Sequence, residues 1–109
     1  MDKFIIKLYA RAAQDLEDIY TYIAKNLLNP SIALHLISEL ENAILSLEQF
    51  PERGSIRRIG ACANGNYRQL FVKNYIIIYR VLNKKKEVHI ITVCYIQIYF
   101  QNINIITGS

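Results

Sequence analysis

The apolar pattern of this chain changes its period between residues 47 and 67, and that change leaves few folds open. From Ala10 to about Leu27, apolar side chains fall at Ala12, Ala13, Leu16, Ile19, Tyr20, Ile23, Ala24 and Leu27. This is the i, i+3, i+4, i+7 spacing of an amphipathic helix. Asp15, Glu17 and Asp18 lie in its early half, where a carboxylate suits the helix dipole. The triplet "NPS" then supplies an N-cap at Asn29 and a proline at the first helical position, Pro30. A second helix follows, with its stripe at Ala33, Leu36, Ile37, Leu40, Ile44 and Leu47, and "FPERG" closes it at Pro51. About two residues join the helices, so they form an antiparallel hairpin.

Downstream the period is two. "YRQLFV", "YIIIYRVL" and "EVHIITVCYI" read as three strands, separated by a tight turn at Lys73-Asn74 and by "NKKK", and so as an antiparallel meander. "KFIIKLY" at residues 3 to 9 has strand composition and is the first strand. Residues 51 to 66 read as irregular, with three glycines and a group of arginines. Helices segregated on one face of an antiparallel sheet of three to four strands make an α+β domain.

A length of 109 residues suits one domain with room for one site. No apolar run approaches the roughly 18 residues that a membrane span needs, and the N-terminus is unlike a secretory signal, so no membrane partner and a cytosolic protein are expected. Cys62 and Cys94 lack ligand spacing, which argues for free thiols, no metal and no cofactor. Charge is unevenly placed. Residues 1 to 52 hold four basic and eight acidic side chains, whereas residues 53 to 86 hold nine basic ones and no acid. The field of such a block favours a polyanion or an acidic protein segment.

Two of those cations sit inside apolar strands, where a charge must be paired or reach water. If the hairpin at Lys73-Asn74 has an even loop, Arg68 opposes Tyr79 and Arg80 opposes Tyr67, while the "NKKK" loop sets Arg80 opposite His89. The two arginines then point to opposite faces. One anchors the fold, with a helix carboxylate as its expected partner, and the other is left for a ligand or protein; the register does not assign which. His89 reads as a packed or edge histidine, with Glu87 the one acid in its strand able to orient it. Arg53, Arg57 and Arg58, adjacent like charges in a glycine-containing loop with no obvious internal partner, are the best interaction candidates.

Taken together, "DLEDIYTYIA", "SLEQFPERG" and "NYRQLFVKNYIIIYRV", in that order around a first and a last strand, resemble the RelE/ParE family of bacterial type II toxins, and the ParE side more closely. The resemblance covers about residues 3 to 96. It implies a toxin domain over residues 1–100, with 101–109 a tail that extends the last strand or hangs free. It also implies neutralisation by a cognate antitoxin, and a target that is either DNA gyrase or another protein, bound without chemistry, or ribosome-bound mRNA, cleaved in the manner of RelE; a degenerate, non-toxic domain that only binds antitoxin is the third reading. For the nuclease, Arg68 falls where a basic site residue is expected and Tyr95 offers the remaining polar chemistry. In the last strand "VCYIQIYF", Ile96 and Ile98 occupy places where an arginine is expected, so the ribonuclease set reads as incomplete. Partner-binding residues on this reading are Arg53, Arg57, Arg58, Arg68, Arg80, Tyr95 and Tyr99.

Overall fold

The computed structural model describes residues 3–58 and 65–96. Strand β1 (Ile5–Leu8) leads directly into helix α1 (Ala10–Thr21), which continues as one π-helical turn (Tyr22–Asn26). Helix α2 (Pro30–Ser46) completes the hairpin. The expected cap is present: the Asn29 side chain accepts from the Ile32 amide at 3.3 Å, with Pro30 opening the helix. Between the helices Leu28 is 82% exposed with φ 53, a left-handed conformation that a leucine seldom adopts.

The strands that follow are β2 (Ser55–Ile56), β3 (Arg68–Val72), β4 (Tyr75–Leu82) and β5 (Glu87–Tyr95). They form a five-stranded sheet in the order β1-β5-β4-β3-β2. This is more than the three to four strands expected. The additional strand, β2, lies inside the segment read as irregular and is only two residues long, too short for any periodicity to show. The sheet is also mixed. β1 pairs with β5 in parallel, Ile5 beside Glu87 through Leu8 beside Ile90, and the other pairings are antiparallel.

The two hairpin registers are as the loop lengths require, with Arg68 opposite Tyr79 and Arg80 opposite His89. A bulge interrupts the second: Ile78 faces Thr92 while Tyr79 faces Ile90, leaving Ile91 unmatched. Without that extra residue the apolar positions at both ends of β5 would not share a face. With it, Val88, Ile90 and Val93 join Leu70, Ile77 and Tyr79 against Ala12 of α1 and Leu40, Ala43, Ile44 and Leu47 of α2. Leu40 and Leu47 are fully buried, each stabilising the fold by about 1.5–3 kcal/mol relative to exposure. The helices cover one face, which makes the chain an α+β domain. Among the described residues no helix is long and apolar enough to cross a membrane.

Candidate functional site

On the helix-covered face the turn after α2 is fastened to the sheet. The Gly54 amide donates to the Tyr79 hydroxyl at 2.8 Å, and Arg68 Nη1 donates to the Gly54 carbonyl at 2.7 Å. Arg68 Nη2 lies 3.5 Å from the Glu52 carboxylate. Tyr79 is wholly buried, and burial pushes its phenol pKa up despite the Gly54 contact. A Cβ on Gly54 would lie 2.4 Å from the Gln69 carbonyl oxygen and 2.7 Å from the Tyr79 hydroxyl, so only glycine fits. The anchoring arginine is therefore Arg68. Its carboxylate is Glu52, beyond the end of α2 and not on a helix as expected. The Arg68 side chain keeps 23% exposure and lines a hollow of about 180 Å³ with Glu52, Ile56, Gly65, Asn66, Val81 and Asn83.

The structure does not bring the two nuclease candidates together. Arg68 lies opposite Tyr79, whereas Tyr95 lies opposite Tyr75, four residues away along β4. At about 3.3 Å per residue that separation is roughly 13 Å. Tyr95 instead packs edge-on against Tyr75, centroids 5.3 Å apart. Burial, then the neighbouring Tyr95 and Tyr22, raises the Tyr75 pKa, which removes it further from base chemistry at neutral pH. Ile96 donates its amide to the Asn74 carbonyl at 2.7 Å. Tyr99, Ile98 and Cys62, and the tail 101–109, lie outside the described residues.

The three loop arginines have separate surroundings. Arg57 is a correction to the expectation of three cations without internal partners: it is 3% exposed, and its Nη1 donates to Gln69 Oε1 at 3.1 Å. The short β2–β3 pairing places it there, and its amide also donates to the Tyr67 carbonyl at 2.8 Å. Arg53 is exposed but donates to Ser46 Oγ at 2.8 Å. Arg58 is exposed.

Arg80 is exposed on the sheet face away from the helices, its guanidinium 6.0 Å from the Tyr67 ring centroid. His89 and Lys7 continue its row across β5 and β1, since Arg80 pairs with His89 and His89 with Lys7. His89 is held on both ring nitrogens, Nε2 at 2.9 Å from Glu87 Oε1 and Nδ1 at 3.0 Å from the Tyr9 hydroxyl. The His89 bond, supported by Lys7 and Lys85, holds the Glu87 carboxyl below its usual range. An ionised Glu87 can only accept, so Nε2 carries a proton, and the Tyr9 hydroxyl lies against Nδ1. Neither Lys7 nor Tyr9 was a site candidate in the sequence. Strand periodicity does not say which strands are neighbours, and the parallel β1–β5 pairing is what brings them to His89.

The fold and sequence have recognisable relatives. The structure matches a chromosomal ParDE toxin-antitoxin protein from P. aeruginosa with a TM-score of 0.71 and 23% identity, covering 86% of this chain and 97% of that one. It matches a chain of the RelBE2 toxin-antitoxin complex from Mycobacterium tuberculosis at 0.59 and 19%, covering 87% and 93%. The isolated E. coli RelE toxin matches at 0.56 and 15%, covering 94% and 98%. At these identities the likeness is one of fold. Among curated protein sequences nothing matches. The profile of the ParE toxin of the type II toxin-antitoxin system, parDE, matches residues 6–95, from β1 to the last residue of β5, and by that match the chain belongs to the ParE toxin family.

Proposed function

We propose that this chain is the toxin of a ParE-like pair, that it stops growth by binding a protein target such as DNA gyrase, and that a cognate antitoxin neutralises it. One observation carries the choice of binding over catalysis. Arg68, the cation a RelE-type reaction would need at a scissile phosphate, spends its guanidinium on Gly54 and Glu52, and Tyr95 lies at the other end of the sheet. Catalysis of phosphoryl chemistry requires the charge-stabilising and proton-transferring groups within reach of one reacting atom. The uneven charge supports an antitoxin that presents an acidic segment to the block at residues 53 to 86, of which Arg53, Arg58, Lys73, Arg80 and Lys84 to Lys86 are exposed.

The experiment compares the parent and Arg68→Ala after induction, by primer extension on cellular messages and by supercoiling with purified gyrase. Inhibited supercoiling without new message ends, retained in Arg68→Ala, is the expected result. Cuts at ribosomal A-site codons that disappear in Arg68→Ala would replace this reading with the RelE-type ribonuclease. Neither effect would leave a domain that only binds antitoxin.

A further inference from the structure

We propose that the row Lys7–His89–Arg80, flanked by Tyr9 and Glu87, is a binding site for a phosphate oxyanion on the sheet face away from the helices. The three residues are direct Cα partners on three adjacent strands, β1, β5 and β4. Directly paired residues project from the same face, and strands lie about 4.8 Å apart, so the outer two Cα atoms are roughly 10 Å apart with the imidazole between them. The Lys7 and Arg80 stems are long enough to bring both charges to one phosphate-sized group over the row, Arg80 by turning from Tyr67 toward His89.

The charges are arranged for an external anion. Both outer side chains are exposed, and neither forms an ion pair with a carboxylate among the described residues. The carboxylate on the same strand, Glu87, is bonded to His89 Nε2, and its ionisation is supported by Lys7 and Lys85. Like charges aligned across a sheet repel, and a bound oxyanion removes that repulsion. The Arg80 guanidinium rests 6.0 Å from the Tyr67 ring centroid, and its forked donors suit two oxygens of one phosphate when it turns toward His89. Tyr9, whose backbone amide donates to the Ile90 carbonyl at 3.0 Å, adds a hydroxyl beside the imidazole. The ligand class is a phosphate group, carried either by a nucleic-acid backbone or by a free nucleotide. This goes beyond the toxin reading and is tested without any toxicity assay.

The chain has two histidines, and the second provides an internal reference. His35 on α2, which is exposed where His89 is half-buried, is also bonded to a carboxylate, Glu39, at 2.9 Å, but it is not flanked by a pair of aligned cations. The imidazole resonances of both are followed by NMR while the chain is titrated with a single-stranded oligonucleotide lacking terminal phosphates and, separately, with a nucleoside monophosphate. The expected result is a saturable movement of His89 alone, with binding about tenfold weaker in Arg80→Gln and in Lys7→Gln, the loss of one charge-assisted contact each. Response to the oligonucleotide alone identifies a backbone phosphate, and response to the monophosphate alone identifies a free nucleotide. Equal movement of His35 and His89, unchanged binding in Arg80→Gln, or no movement with either probe would overturn the proposal.

Discussion

Gly54 is the point where a short sequence motif becomes a structural requirement. Its amide, its carbonyl and the space of its missing side chain are all used, by Tyr79, Arg68 and Gln69 respectively. Gly54→Ala is expected to lower stability by about 1–3 kcal/mol, since both nearest atoms, a β3 backbone carbonyl and a buried hydroxyl, have little freedom to retreat. Tyr79→Phe should lower it by a similar amount, about 1–3 kcal/mol, by leaving the Gly54 amide unpaired in the interior. Urea unfolding of both variants checks this, and an Ala variant as stable as the parent would show that the turn is not clamped. Glu87 gives a pH-dependent case. Its carboxyl is held low in the fold, chiefly by His89, so its contribution to stability is complete above the ordinary carboxylate range near 4.5 and is lost as pH falls through the lower folded value. Glu87→Gln should therefore be less stable than the parent at neutral pH and equal to it in strong acid, as read by thermal unfolding across that range. Residue identities hinted at some of this and concealed the rest. That Arg68 and Arg80 must diverge was legible from loop length and alternation, but the face that the helices cover depends on packing that no local pattern encodes. Arg57 was misread for the same reason: two residues of β2 are enough to carry it inward, and two residues have no period.

Among the elements, β5 is the one that organises the sheet, because it borders both the last antiparallel strand and the first strand of the chain. Beyond Leu8, β1 ends and α1 begins, so the upper part of β5 loses its strand neighbour. Asp15 takes over. Its Oδ2 accepts from the Val93 amide at 3.0 Å and from the Thr92 hydroxyl, a helix carboxylate standing where a strand carbonyl would stand. Asp15→Ala is expected to cost about 2 kcal/mol, since two donors lose a charged acceptor. It should also speed hydrogen exchange at Val93 more than at Ile77, its partner in β4. Uniform acceleration of both amides would mean that Asp15 acts on global stability and not on this edge. The periods of 3.6 and 2 marked both helices, their cap and the meander, because each depends on near neighbours in sequence. The parallel pairing, the bulge at Ile91 and the π-helical turn at Tyr22–Asn26 were not legible, being settled by how separated segments fit.

At the scale of the whole molecule, acidic helices and basic strands divide the surface by charge: residues 1 to 52 hold twice as many acids as bases, and residues 53 to 86 hold only bases. Co-expression with the product of the neighbouring gene should yield a co-purifying complex whose affinity falls as salt is raised, because attraction between exposed charges is screened over about 10 Å at 0.1 M salt. Recovery of partner-free protein in full yield, at low as well as high salt, would count against an antitoxin. The pairing of β1 with β5 has one more effect, on the order of events during synthesis. Ile5–Leu8 leave the ribosome first, yet the residues they join, Glu87–Ile90, are made some eighty positions later. Contacts of such sequence separation slow folding and delay it until nearly the whole chain has been made. The helical hairpin can form while its apolar stripe still lacks a sheet, and the surface that a binding poison would present is assembled last. Each newly made molecule therefore passes through an interval in which it is nascent and sticky, its sheet not yet closed by the first strand.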